Sequence, residues 1–229
     1  VMAKSKLHKQ ELQSLALTDE YLGLASVPAV NQYLELAREQ QLDLTKVFKE
    51  INFEPSILLD SSNHITGANF QQLILSLINE SNDGLFGLHT AKFVQPGSYS
   101  VLGFISMNCQ TLGQAINKIQ PFEKLVGDMG ITAIENLGDQ VKISWHCQFE
   151  HPEVKRHMID NCLASWVTFA RYLVNQSSNP TSVLLARKAP PLEQQNEYQN
   201  LFKCPVKYAQ SENSIVFDKT LLALPLNKG

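Results

Sequence analysis

His146-Cys147 is this chain's nearest approach to a nucleophile beside a base, the pairing that thiol catalysis needs. The pair lies in a run of strict alternation: Val141, Ile143, Trp145, Cys147, Phe149. Alternation marks a strand, and neighbours on a strand point to opposite faces. The two side chains should therefore diverge, a core cysteine beside a surface histidine. His146, His151 and His157 gather near Cys147 in sequence. A zinc site needs about four converging ligands, and the usual CxxC or HxxxH spacing is missing. The reading is no metal and no cofactor. His89, between Leu88 and Ala91 in a helical stretch, reads as a partly buried histidine with a hydrogen-bond partner. No GxSxG, P-loop, HExxH or GxGxxG motif occurs, so the chain does not read as an enzyme.

What remains is apolar and aromatic. Trp145 on a strand, and Trp166, Phe169 and Tyr172 on a long helix, are suited to line a cavity between sheet and helices. The competing reading is plain core packing. If a cavity exists, a fatty acid or an aromatic compound suits these four residues better than a sugar.

Composition narrows the classes. The chain has 229 residues, 44% hydrophobic and 18% charged, which suits a globular protein with a real core. Lys plus Arg is 19 against 22 for Asp plus Glu, a net charge of -3. That balance argues against DNA binding by this chain alone. The basic pairs Lys155-Arg156 and Arg187-Lys188 read as solvated surface. Cys109, Cys147, Cys162 and Cys204 are far apart and read as reduced thiols of a cytoplasmic protein. No apolar run approaches the ~20 residues of a membrane span. The polar start is no secretory signal. Val1 ahead of Met2 reads as an expression remnant, and residues 1–24 as a flexible segment.

The elements that must hold these residues follow from period and caps. Ser26 and Pro28 predict a helix start, with Val30, Tyr33, Leu34 and Ala37 at helical spacing. A short helix with Leu44, Val47, Phe48 and Ile51 follows, with Thr45 as its cap. Thr66 opens a third, striped by Phe70, Leu73, Ile74 and Leu77 and closed by Asn82-Asp83-Gly84. Val101–Ile105 is an apolar run whose type periodicity does not settle. Thr111 caps a helix whose buried face runs from Leu112 through Ile119 and Phe122 to Leu125. Strands are predicted at Ile131–Ile134, Val141–Phe149, Ser182–Ala186, Val206–Tyr208 and Ser214–Phe217, with a long helix from Pro152 to a break at Asn179-Pro180 and a short one over Glu193–Phe202. The class is α+β: N-terminal helices, then a mostly antiparallel sheet of four or five strands packed on a long central helix.

Three stretches carry a resemblance. The first runs Gly84-Leu-Phe-Gly-Leu-His, Gln95-Pro-Gly97, Leu102-Gly-Phe through Met107, then Thr111-Leu-Gly-Gln-Ala115. The second is Leu201-Phe-Lys-Cys-Pro-Val206 with Tyr208, Asn213 and Val216-Phe217-Asp218. The third is Leu221-Leu222 with Leu224-Pro225-Leu226. In this order they resemble the N-terminal regulatory domain of AraC-family bacterial transcription activators. The subgroup is the "arabinose-binding-like", non-cupin one, which includes regulators of ornithine use and of virulence operons. The likeness spans about residues 25–226 as one domain.

The resemblance implies that a DNA-binding domain with two helix-turn-helix units follows the Leu-Pro-Leu element, so the chain reads as a truncated regulator. It implies effector sensing and homodimerisation, with DNA reached only through the missing domain, and it supplies no catalytic residue. It also implies structural roles: Gly97 and Gly103 for tight turns or close packing, Gln114 at the capping-box position of Thr111, and Phe202, Pro205, Val206 and Phe217 in the sheet core. The alternatives are an interaction module with a solid core, and a small hydrolase.

Overall fold

The computed structural model describes residues 22–175 and 178–227. Most of the expected flexible segment, residues 1–21, lies outside them. Its last residues, 22–24, are described. The Gly67 amide donates to the Gly23 carbonyl at 2.8 Å, and Leu24 already lies in a strand.

That strand, β1 (Leu24–Ser26), pairs antiparallel with β2 (His64–Thr66), Ala25 opposite Ile65. Each strand runs straight into a helix and caps it. Ser26 accepts from the Ala29 amide at the start of α1 (Val27–Glu39), and Thr66 from the Asn69 amide at the start of α3 (Gly67–Ser81). Between them α2 (Leu44–Glu50) is capped by Asp43, which accepts from the Lys46 amide. Thr45 is not the cap, because it already lies inside the helix.

α4 (Phe86–His89) runs into 3-10 turns at Thr90–Phe93 and Pro96–Tyr99. The ambiguous apolar run is helical, as α5 (Ser100–Met107). The single helix expected from Thr111 is broken into α6 (Leu112–Ile116), α7 (Ile119–Phe122) and a 3-10 turn, Glu123–Leu125. Pro121 has no N–H to continue the ladder, and Leu125 ends up exposed instead of buried.

The main sheet has five strands: β3 (Gly130–Leu137), β4 (Gln140–Cys147), β5 (Ser182–Leu184), β6 (Val206–Lys207) and β7 (Ser214–Asp218). Their order is β3-β4-β7-β5-β6, antiparallel except for β5 with β6. The long helix α8 (Pro152–Val174) ends at Asn175 in the left-handed conformation, before the expected break. It packs on β4, α3 and α4. A last helix, α9 (Leu192–Phe202), follows β5. The α+β class is as the pattern predicts.

One large apolar cluster joins α1, α3, α4, α8 and the sheet through Leu34, Phe70, Phe86, Leu163 and Val183. A smaller one forms at the far end of α8 from Phe169, Leu173, Leu112, Ala115 and Leu226. Phe202 and Phe217 are core residues, whereas Val206 is half-buried and Pro205 exposed, because β6 is an edge strand. Among the described residues no helix is long and apolar enough to cross a membrane.

Candidate functional site

Two cavities lie side by side along α8. The first, about 120 Å³, opens between α8, α5 to α7 and strands β4 and β7. Its walls are almost wholly apolar, with Leu102, Leu112, Ile143, Trp166, Phe169 and Phe217 prominent. Of its few polar groups, the Ser106 hydroxyl is spent on the Leu102 carbonyl at 2.9 Å. Asn179 Oδ1 accepts from Arg171 Nη2 at 3.0 Å.

The second cavity, about 90 Å³, shares Tyr99, Leu102, Ile119 and Trp166 with the first and is more polar, bordered by Gln32, Glu123, Asn161, Cys162 and Ser165. A hydrogen-bonded seam lies behind it. Gln32 Nε2 donates to Ser165 Oγ at 2.7 Å and to the Thr90 carbonyl at 3.1 Å. Asn161 Nδ2 donates to Thr90 Oγ1 at 2.7 Å.

The four aromatic residues singled out by sequence are divided. Trp166 borders both cavities, Phe169 the first and Trp145 the second. Tyr172 borders neither. It stacks on the outer side of Phe169 at 6.0 Å between centroids and is 56% exposed. The reason is helical phase: Trp166, Phe169, Ala170 and Leu173 follow i, i+3, i+4, i+7, and Tyr172 falls off that face. Trp145 fits because β3 offers it a glycine. A Cβ on Gly130 would lie 2.3 Å from the indole.

Tyr99 went unnoticed in the sequence. Its ring meets Phe169 at 5.1 Å, and its buried hydroxyl has no hydrogen-bond partner among the described residues. Burial pushes its ionisation well above the phenol range, opposed in part by the Ser165 hydroxyl beside it.

Among the described residues Glu123 is the single charged residue on either lining. Burial raises its pKa, against the hydrogen bonds it accepts from Thr132. Burial also pushes the Cys162 thiol well up. Among the described residues the lining holds no His or Lys to act as a base for that thiol.

The other candidate chemistries disperse. His146 is exposed and Cys147 buried, with burial raising the thiol to about 11. His151 caps α8. His157 is buried against Gly87. Among the described residues no three of His, Cys, Asp or Glu converge for a metal. His89 does have partners, Asp83 at 2.7 Å and Glu197 at 2.5 Å. The arginines expected on solvated surface are instead engaged. Arg156 donates to the Gly84 carbonyl at 2.8 Å, and Arg187 to the Tyr198 hydroxyl at 2.7 Å.

No curated protein sequence matches the chain. Among solved structures it is similar to the transcriptional regulator CdpR from Pseudomonas aeruginosa, with a TM-score of 0.59 at 15% identity, over 80% of this chain and 56% of that one. The chain thus spans little more than half of that regulator, and the likeness is one of fold. The family profile described as "Arabinose-binding domain of AraC transcription regulator, N-term" matches residues 42–226. That match takes in most of the sequence, and the chain belongs to this family of AraC-type N-terminal domains, which are regulatory domains and not enzymes.

Proposed function

We propose that residues 25–226 form a single effector-sensing and dimerising domain of a cytoplasmic bacterial regulator, and that the first cavity takes a small apolar or amphipathic molecule. The observation that carries this reading is the near absence of polar groups around about 120 Å³ of space. An apolar cavity of roughly 150 Å³ stays dry and binds benzene, so an aromatic ring or a short acyl segment suits this one. Despite the family's title, a sugar would leave its hydroxyls without partners here. A solid interaction module would have no such space.

A route for the signal is supported by the contacts at the chain's end. Leu221 borders the first cavity. The Leu112 amide donates to the Leu224 carbonyl at 2.9 Å, the Leu226 amide to the Gln110 carbonyl at 3.0 Å, and the Asn227 amide to the Leu173 carbonyl at 2.7 Å. A ligand pressing on Leu173 or Leu221 would bias this segment, and with it a DNA-reading domain or the partner protomer. DNA would be touched by that separate domain alone.

Thermal-shift measurements with toluene, indole, medium-chain alcohols, amino acids and sugars test the reading. Apolar compounds should raise Tm; a ligand at about 100 times its Kd adds about 2.7 kcal/mol. Ala170→Phe, which fills the cavity, should abolish the shift. Flat curves for every apolar compound would sink the proposal. Sedimentation at micromolar concentration tests the dimer, and a strict monomer would remove that part.

A further inference from the structure

We infer that the second cavity binds a small organic cation, a primary ammonium on a short apolar stem. The inference goes beyond the reading of the first cavity and does not depend on it.

Charge makes the choice. Glu123 is half-buried, and among the described residues no Lys, Arg or His joins it on the lining. None of the ion pairs among the described residues includes it. Its carboxylate is held by the Thr132 amide, which donates to Oε2 at 3.1 Å and to Oε1 at 3.4 Å. Thr132 also borders the cavity, so the carboxylate sits at the cavity wall. One N–H leaves most of its lone pairs unused. Burial raises its pKa against the Thr132 bonds and, most weakly, against Lys124, which is exposed and off the lining. A partly desolvated carboxylate with no counter-ion gains most from a cationic donor.

The rest of the wall suits such a ligand. The amide nitrogens of Gln32 and Asn161 are spent on Ser165 and Thr90. That leaves Gln32 Oε1 and Asn161 Oδ1 with no donor among the described residues. An ammonium has three donors and no acceptor, which matches a wall of oxygens. Trp145 and Trp166 stand on the same wall, and tryptophan is the ring that attracts ammonium best. A ligand carboxylate would meet Glu123 as a second buried negative charge. Hydroxyl and indole N–H groups on the wall can also serve a neutral alcohol, but an alcohol leaves the charge of Glu123 unpaired. The volume is about 90 Å³, against roughly 150 Å³ for a cavity that takes benzene, so the stem is a few carbons long.

Trp145 and Trp166 are the two tryptophans of the chain, so their emission reads this cavity directly. Ala170 borders the first cavity and not the second, so Ala170→Phe fills the first and leaves the second open. Fluorescence titration of Ala170→Phe with n-butylammonium, 1-butanol and butyrate, at neutral pH and matched ionic strength, tests the inference. n-Butylammonium should bind about tenfold tighter than 1-butanol, the scale of adding a charge to one hydrogen bond, and butyrate should bind weakest. The unaltered chain should bind n-butylammonium within about twofold of Ala170→Phe. Glu123→Gln keeps an acceptor for the Thr132 amide. It should weaken n-butylammonium about tenfold and leave 1-butanol unchanged. The inference is overturned if n-butylammonium binds no tighter than the other two, ignores Glu123→Gln, or never saturates. Loss of n-butylammonium binding in Ala170→Phe would place the amine in the first cavity and overturns it too. None of these results touches the first cavity's own test with toluene. Should Ala170→Phe fail to fold, Glu123→Gln in the unaltered chain decides; should Glu123→Gln fail, the ranking of the three probes decides.

Discussion

A Cβ added to Gly103 would lie 1.9 Å from the Pro96 carbonyl oxygen. Glycine there lets α5 rest directly on the Pro96–Tyr99 turn, which is what holds Tyr99 between the two cavities. Gly103→Ala should therefore lower stability by about 3 kcal/mol, since backbone cannot yield as a side-chain tip can. Gly97 is the control. Nothing lies within 4 Å of its would-be Cβ, and its φ is not positive. Gly97→Ala should stay within about 0.5 kcal/mol. Urea unfolding of both variants checks the pair; equal stabilities would contradict the close approach.

Tyr99→Phe should stabilise the ligand-free protein by about 1 kcal/mol, because it removes a buried hydroxyl that has no partner. Tyr198→Phe should do the reverse. The Tyr198 hydroxyl donates to Asp160 Oδ2 at 2.5 Å and accepts from Arg187 at 2.7 Å. Asp160 is 1% exposed, so losing that donor should cost about 2 kcal/mol. Opposite signs for the same chemical change, read by denaturant midpoints, are the test. A destabilised Tyr99→Phe would mean that its hydroxyl is satisfied.

These contrasts show what was legible in the sequence. Caps were, because Ser26, Thr66 and Thr111 each bond a backbone amide three residues on. Alternation across Val141 to Cys147 placed β4 for the same local reason. The β1–β2 pair was not, since two three-residue strands far apart in sequence carry no period to detect. Gln114 looked like the second half of a capping box, yet its side chain accepts from the Gln110 amide at 2.8 Å, one residue ahead of the cap. In the candidate site, residue type found Trp166 and Phe169, but it also drew in Tyr172, where helical phase should have decided. Tyr99 was invisible because its meaning depends on groups on α8 that only folding brings near.

Stability should fall at alkaline pH through His89. The hydrogen bond to Asp83 first, then that to Glu197, holds its pKa up at about 9 from 6.5, against burial. The folded state keeps a proton that the unfolded chain releases near 6.5. The stabilisation is thus complete below 6.5 and lost as pH rises through about 9. The ring is a third exposed, so solvent screening limits the effect to about 1 kcal/mol. His89→Gln should flatten the fall in Tm between pH 7 and 9. An unchanged slope would show that the ion pairs contribute nothing.

The acid side should be governed by His157, with the opposite sign. Burial first, then Arg156, lowers its pKa from 6.5 to about 3. The Gly87 amide donates to Nδ1 at 2.9 Å, so a proton there would break the bond. The unfolded chain takes its proton near 6.5 while the folded state resists until about 3. Stability from this group is therefore full above 6.5 and lost as pH falls through that window, by about 2 kcal/mol at pH 5. Asp160 works against it: burial raises its pKa from 3.8 to about 6, so the folded state binds its proton first and gains stability as pH falls between those values. His157→Gln keeps an acceptor for Gly87 and should lose less stability than the unaltered chain between pH 7 and 5. Asp160→Asn should lose more over the same range. Chemical denaturation at each pH separates the two, and parallel slopes for all three proteins would refute both assignments.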